Sequence, residues 1–480
     1  MRLRGNSGTF ETSLVVFLIT SFFVTPTVSA APSIPGVGVF FYPWYGHWYH
    51  WRGLDNFNPP QNWSSHYVPE ILPGVYLPQV ELYDSNDTRI ILWQLYEMRN
   101  AHVSYAISSW WGRGSFEDGV FERLLEVTES NISPHPKLKW CIIYELEGYG
   151  DPSAEKIRDD LLYLLHKYAW RPSYLKVDGK PVFFVYAGKN DTVEYARKWY
   201  LVKQSLNNSV FIVLKVFPGY RKYSYYADSW FQYAPALRFE VQEPYSGFVS
   251  PGFWKLWKNE EPPVLRRDPN EFEKALKHLI SSDVGIKTVQ TWNEWHEGTQ
   301  VEPGQLVSEA CGAYCPLDGY GEEYVRIMGS LIPKIYRYEP SLEIKPNLVV
   351  NDTPFIQLVG RGFPPRSTVE FLVDGELNVT STRAGVDGSF IWDLPPEDFP
   401  EGFHIIVAKS KGYVSVAAFY KPPVKVLVRE SRATFTTTRV STTTVWDKSC
   451  RDEASSWKMP AIIIIFLMGL VALLWKLRKM

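Results

Sequence analysis

The stretch Gly285-Ile286-Lys287-Thr288-Val289-Gln290-Thr291-Trp292-Asn293-Glu294-Trp295-His296-Glu297-Gly298-Thr299-Gln300-Val301-Glu302-Pro303 decides how the rest of this chain reads. Its first six residues set β-branched side chains on alternate positions after a glycine, which predicts a short strand. Two carboxylates, Glu294 and Glu297, follow three residues apart, just past the strand's C-terminal end. On a helical turn that spacing puts both side chains on one face with Cβ atoms about 5–6 Å apart, near the ~5–5.5 Å carboxyl separation of retaining glycosidases. Trp292, Trp295 and His296 crowd the same residues and suit a sugar-binding floor, whereas an ordinary polar strand end gives them no purpose. His296-Glu297-Gly298 lacks the second histidine one helical turn on that a zincin needs, so no metal and no cofactor is expected.

Upstream, the pattern alternates short apolar strands with helical segments. Strands are predicted at Val37–Tyr42, Val103–Ser109, Leu138–Glu145, Pro181–Tyr186 and Ser209–Lys215. Helices are predicted at Asp87–Asn100, Phe116–Val127, Ser153–Tyr168, Thr192–Leu206 and Pro269–Ile280. A β-then-α order sustained over residues 34–340 predicts a TIM-like (β/α)8 barrel, with its chemistry at the strands' C-terminal ends. A doubly wound open sheet would carry a glycine-rich phosphate loop after its first strand, and Tyr42-Pro43-Trp44-Tyr45-Gly46 is not one. Residues 345–428 hold only short strands with turn signals such as Asp374-Gly375 and Asp387-Gly388. They read as a small immunoglobulin-like β-sandwich acting as a spacer.

The ends of the chain read as targeting segments. Residues 1–30 combine Arg2 and Arg4, an apolar run and the small-residue site Val28-Ser29-Ala30, the pattern of a secretory signal peptide. Residues 429–458 form a Thr-rich stalk, 459–475 a transmembrane helix and 476–480 a basic cytoplasmic tail, which leaves the barrel outside the cell on a single-pass anchor. A cleaved C-terminal sorting signal has the same layout. Seven Asn-x-Ser/Thr sequons, at Asn62, Asn86, Asn131, Asn190, Asn207, Asn351 and Asn378, fit an exported glycoprotein. Of the four cysteines, Cys311 and Cys315 are close enough to bridge a loop, and Cys141 lies in an apolar strand. A net charge of −2 leaves no basic field of the kind that drives nucleic-acid binding, so no nucleic-acid partner is expected.

Several further landmarks occur in order: Phe41-Tyr42-Pro43-Trp44-Tyr45-Gly46, His50-Trp51, Leu82-Tyr83-Asp84-Ser85-Asn86-Asp87, Ser109-Trp110, Glu145, Gly179-Lys180-Pro181 with Tyr186, and Pro251-Gly252-Phe253. With Trp292–Pro303 they make the barrel resemble glycoside hydrolase family 99, the endo-acting α-mannosidases and mannanases. The resemblance covers roughly Val37 to Pro340 and departs from the family pattern at Phe253, where a tyrosine is expected. It implies hydrolysis of internal α-mannosidic bonds in an oligosaccharide or polysaccharide, with Glu297 as general acid and base, its pKa raised by partial burial. It also implies that Glu294 is a base that removes the proton of the sugar's 2-hydroxyl. Asn293 and His296 would orient the carboxylates. Tyr42, Trp44, His50, Trp51, Trp110, Glu145, Tyr186 and Phe253 would contact substrate. Two other readings stand beside it: a glycosyltransferase-like barrel of polysaccharide biosynthesis, disfavoured because an exported protein has no ready supply of nucleotide sugar, and a non-catalytic surface carbohydrate-binding protein.

Overall fold

The computed structural model describes residues 32–46, 67–69, 83–188, 191–255, 258, 262–306, 320–350, 352–375 and 377–422. The predicted signal peptide, His50, Trp51, Cys311, Cys315, the stalk, the transmembrane segment and the tail lie outside the described residues. Among the described residues no helix is long and apolar enough to cross a membrane.

Eight parallel strands form a nearly closed ring: β1 (Val37–Phe41), β2 (Tyr105–Trp110), β3 (Lys139–Tyr144), β4 (Lys180–Val185), β5 (Phe211–Lys215), β6 (Ser229–Phe231), β7 (Ser246–Val249) and β8 (Ile286–Val289). The order around the ring is the order in the chain, with β8 returning to pair β1 from Val37↔Lys287 to Val39↔Val289. One seam stays unsealed. There β7 pairs with the antiparallel strand Phe239–Gln242 instead of with β6, although β6 and β7 lie side by side. Gln290, at the end of β8, ties across this place: its Oε1 accepts from the Ala234 N–H at 3.0 Å and its Nε2 donates to the Gln232 carbonyl at 2.7 Å.

The helices outside the ring are α1 (Thr88–Asn100), α2 (Phe116–Glu129), α3 (Ala154–Lys167), α4 (Val193–Ser205), α5 (Pro269–Ser281) and α6 (Glu323–Leu331). The starts of α1, α2, α3 and α5 were legible because their caps are explicit. The side chains of Asp87, Ser115, Ser153 and Asp268 each accept a hydrogen bond from a first-turn N–H, satisfying donors that a helix cannot pair internally. The β6 and β7 strands were not legible. They hold three and four residues, too few to show a period, and no α-helix precedes either one. A 3-10 turn, Tyr220–Tyr226, stands before β6, and the Phe239–Gln242 strand stands before β7.

Beyond Pro340 come seven antiparallel strands: β9 (Ser341–Lys345), β10 (Ile356–Arg361), β11 (Thr368–Val373), β12 (Leu377–Arg383), β13 (Phe390–Leu394), β14 (Gly402–Ser410) and β15 (Tyr413–Lys421). They make two sheets, β9-β10-β13 and β12-β11-β14-β15. Leu342, Ile344, Leu358, Phe371, Ile406 and Phe419 fill the space between the sheets. The intervening positions Ile405, Val407, Val414 and Val416 point the other way and join the hydrophobic core of the barrel. Both faces of β14 and β15 are therefore covered, which a free spacer would not require.

Candidate active site

The turn after β8 places both carboxylates. Glu294 caps a 3-10 turn, Trp295–Glu297, and its Oε1 accepts from the backbone N–H of His296 at 3.2 Å. Residues three apart eclipse on a 3-10 turn, so Glu294 and Glu297 face the same cleft. Gly298 ends the turn at φ 64°, and its N–H donates to the Trp295 carbonyl at 3.1 Å. A Cβ on Gly298 would lie 3.0 Å from the Trp254 carbonyl oxygen in a conformation L-residues rarely adopt, so only glycine suits this position.

Two buried side chains hold this loop from behind. Glu302, fully buried, accepts from Gln94 Nε2 of α1 at 2.7 Å, from the Tyr83 hydroxyl at 2.9 Å and from Trp295 Nε1 at 3.0 Å. Burial pushes its pKa up to about 7 against these donors. Arg267 reaches in from before α5, donating to the Gly298 and Gln300 carbonyls at 2.9 and 2.5 Å, with its guanidinium over the Tyr320 ring. The loop is thus anchored at two points on the barrel wall.

The cleft sits at the C-terminal ends of the strands and encloses about 420 Å³ of space open to solvent. Six aromatic side chains form a closed collar around it. Ring centroids are 4.5 Å apart for Tyr42 and Trp44, 6.3 Å for Trp44 and Trp111, 4.7 Å for Trp111 and Tyr149, 6.1 Å for Tyr149 and Tyr186, and 5.9 Å for Tyr186 and Tyr233. The Tyr42 hydroxyl completes the circuit by donating to the Tyr233 hydroxyl at 2.6 Å. Glu145, Glu294 and Glu297 face into the collar.

Three carboxylates in one cleft make ionisation unequal. Glu294 is raised well above the ordinary carboxyl range, first by desolvation and then by the charge of Glu297; Lys255 and the His296 N–H oppose this. Glu145 is pushed up to about 8, chiefly by burial, although it accepts from Ser109 Oγ at 2.9 Å. Glu297 is paired with Lys255, Nζ to Oε1 at 2.8 Å. Tyr42 and Tyr233 are raised well above 10 by burial, so both act as neutral hydroxyls. Glu294 is thus the desolvated carboxyl, and Glu297 stands beside a cation.

Of the residues singled out from sequence, Tyr42, Trp44, Glu145, Tyr186, Glu294 and Glu297 meet in the cleft. Trp110 does not, which corrects its reading as a cleft residue. It is fully buried behind the strand, with Nε1 donating to Asp118 Oδ1 at 2.9 Å and its ring 5.6 Å from Tyr144. The reason is the period of two along β2. Ser109 points inward to Glu145, Trp110 points outward, and Trp111 points inward again, its Nε1 donating to Ser109 Oγ at 3.0 Å.

Asn293 is also displaced from its expected role. Its amide brackets the backbone of Tyr42, accepting from its N–H at 2.7 Å and donating to its carbonyl at 2.9 Å, and the same Nδ2 reaches the Tyr83 hydroxyl at 3.3 Å. The side chain thus grips the β1 end of the barrel rather than Glu294 or Glu297. His296 approaches Glu294 through its backbone, while its ring packs 5.8 Å from Tyr45. Phe253 does not line the cleft; its ring lies 4.9 Å beneath the Lys255 ammonium that pairs with Glu297. Trp111, Tyr149, Tyr233 and Lys255 were missed. Strand parity would have found Trp111. Tyr233 follows the unrecognised β6, and nothing local marks Tyr149 or Lys255.

Among the described residues no cluster of three or more His, Cys, Asp or Glu side chains is arranged to hold a metal ion. Cys141 is a buried free thiol in β3.

Residues 36–215, from β1 through β5, match the family model described as glycosyl hydrolase family 99. The mouse glycoprotein endo-alpha-1,2-mannosidase is 22% identical over 314 residues, an alignment covering 55% of this chain and 66% of the mouse protein. A human glycoprotein endo-alpha-1,2-mannosidase-like protein is 20% identical over 312 residues, covering 55% and 67%. The chain therefore spans about two thirds of the length of the curated relatives it matches. A solved structure of the GH99 endo-alpha-mannosidase from Bacteroides thetaiotaomicron aligns with a TM-score of 0.48 at 19% identity, over 62% of this chain and 96% of that one. The family match over residues 36–215 and the curated relatives together support a glycoside hydrolase similar to family 99.

Proposed function

We propose that this protein is an endo-acting glycoside hydrolase that cleaves internal α-mannosidic bonds with retention of configuration. The observation that carries the reading is the aromatic collar around Glu145, Glu294 and Glu297 at the strands' C-terminal ends. Aromatic faces pack against the C–H faces of sugar rings, and a pair of carboxylates three residues apart on one face supplies a base and an acid. The relatives bearing the name endo-alpha-1,2-mannosidase supply the substrate class.

In the proposed cycle Glu294 takes the proton of the 2-hydroxyl as that oxygen attacks C1. Glu297 gives a proton to the departing glycosidic oxygen, which leaves a 1,2-anhydro sugar. Water, deprotonated by Glu297, then opens the three-membered ring at C1, and Glu294 returns its proton to O2. A carboxyl with a raised pKa is the stronger base once ionised, which suits Glu294 to an alcohol proton. Burial, however, favours a proton on Glu294, while Glu297 is paired with Lys255. Reaction in these roles therefore requires Glu294 to be ionised, and Glu297 to carry a proton free of the Lys255 contact, when the sugar binds.

The test uses Glu294→Gln and Glu297→Gln with two substrates, an α-mannosyl-terminated fluoride and a natural tetrasaccharide. Expected is a loss of roughly 10³-fold or more with both substrates for Glu294→Gln. For Glu297→Gln, the loss should be large on the tetrasaccharide and much smaller on the fluoride, which needs little protonation to leave. The opposite pattern would exchange the two roles. Binding of mannan without products in the unmodified protein would favour the carbohydrate-binding reading. The proposal extends to an exported, membrane-anchored form, for which protease treatment of intact cells should release the activity; release only on lysis would refute it.

A further inference from the structure

A second recess, about 910 Å³ in volume and open to solvent, lies next to the cleft, between the turn that follows β5 and the unsealed seam of the barrel. The two cavities share a wall. Lys215, at the end of β5, lines the recess and holds its Nζ 5.7 Å above the ring of Tyr186, which lines the cleft. Gln232 and Tyr233 are consecutive, the first lining the recess and the second the cleft.

The lining differs in character from the collar. Lys215, Arg221 and Lys222 are opposed within the recess by a single carboxylate, Asp191, which is paired with Lys215. The other oxygen of Asp191 is buried and has no hydrogen-bond partner. Arg221 spends one Nη on the Glu243 carbonyl, and the nearby Glu240 carboxylate is taken by Gln242 Nε2. Arg221 and Lys222 stand exposed at the rim. Cations gathered in a concave, partly dry wall attract anions more strongly than the same charges on open surface.

We propose that this recess is an outlying subsite that binds an anionic substituent, a phosphate or a carboxylate, on a sugar remote from the bond being cleaved. The proposal rests on the reading of the cleft as a glycan site: an endo-acting enzyme leaves chain projecting from the cleft, and the wall at Tyr186 and Tyr233 is where chain leaving on that side would cross. The recess then selects charged glycans, while the collar selects the sugar at the point of cleavage.

The experiment compares the unmodified protein with Lys222→Glu, a change at an exposed position outside the catalytic cleft. The substrates are a neutral α-1,2-mannotetraose, its 6-phosphorylated form and a form carrying a glucuronyl branch. Expected is a KM for the charged substrates about tenfold below that for the neutral one, an advantage that Lys222→Glu and 500 mM NaCl each abolish, with kcat and all neutral-substrate constants unchanged. An advantage confined to the phosphate form identifies phosphate as the group bound, and one shared by both forms identifies charge alone. Equal KM values for all three substrates, or an advantage that survives Lys222→Glu, would overturn the proposal. If no substrate is cleaved, the hydrolase reading is what fails. The recess is then tested by calorimetric titration with mannose 6-phosphate against mannose, where equal binding by the unmodified protein and Lys222→Glu would refute it.

Discussion

The cleft and the junction between barrel and sandwich both bury charge, and they treat it in opposite ways. At the junction the cations are spent on backbone. Arg99 of α1 donates to the Val414 carbonyl of β15 and, at 2.7 Å, to the Pro340 carbonyl. Arg89 donates to the Phe403 carbonyl of β14 at 2.7 Å while chelating Asp87. These bonds satisfy carbonyls where two units of structure meet, and the apolar side chains Ile405, Val407, Val414 and Val416 close around them. In the cleft three carboxylates converge on open space, and among the described residues Lys255 is the cation paired with one of them. Desolvating like charges together destabilises the fold, and such an arrangement persists where chemistry uses it. The arginines at the junction are answered by a neighbour's backbone, whereas the cleft carboxylates face one another across open space.

The two neighbouring tryptophans at the end of β2, Trp110 within it and Trp111 just past it, break this comparison most directly, because one belongs to each kind of region. Trp110→Ala is expected to cost about 3–5 kcal/mol of stability, since it empties a sealed core site and removes the indole donor from Asp118. Trp111→Ala should leave the melting temperature nearly unchanged and raise KM on the order of tenfold by removing part of the collar. Thermal melts beside steady-state kinetics read both effects. Exchanged phenotypes would mean that the inward and outward faces of β2 have been assigned backwards.

A smaller effect is expected at the junction. Arg99→Ala leaves two buried carbonyls without their donor and should cost about 2–4 kcal/mol, or roughly 2–5 °C in melting temperature. The kcat/KM of the protein that remains folded should not change. A fall in kcat/KM at temperatures where the variant is fully folded would show that the sandwich braces the cleft as well as the fold.

The smallest expected effect concerns pH. Burial pushes Glu97, in α1 at the junction, up to about 8, and the charge of Glu322 adds to this. A carboxyl whose pKa rises on folding favours the folded state while protonated, so its contribution is full below about 4.5 and is lost as pH climbs through about 8. Melting temperature should therefore fall between pH 5 and pH 8.5. Glu97→Gln should flatten that fall by on the order of 2–4 °C. A variant with the same pH slope as the unmodified protein would show that Glu97 stays ionised and paired.

The amino-acid order alone determined the strands from Val37 to Lys215, the helices with side-chain caps, the final barrel strand and the carboxylate pair beyond it. These features rest on short-range rules: period-two alternation, Ser or Asp before a helix, and residues three apart on a turn. Only the tertiary structure decided which carboxyl is desolvated, since the shift at Glu294 depends on burial and on Glu297 and Lys255 together. It also decided that Asn293 grips the backbone of Tyr42, 251 residues away, and that Glu302 is held by Gln94 across 208 residues. The same holds for Tyr149, Tyr233 and Lys255, which enter the site from a five-residue helix, Leu146–Gly150, and from irregular segments with no periodic signature. Closing the barrel brings such residues within a hydrogen bond of one another, and distance in space is not written in spacing along the chain.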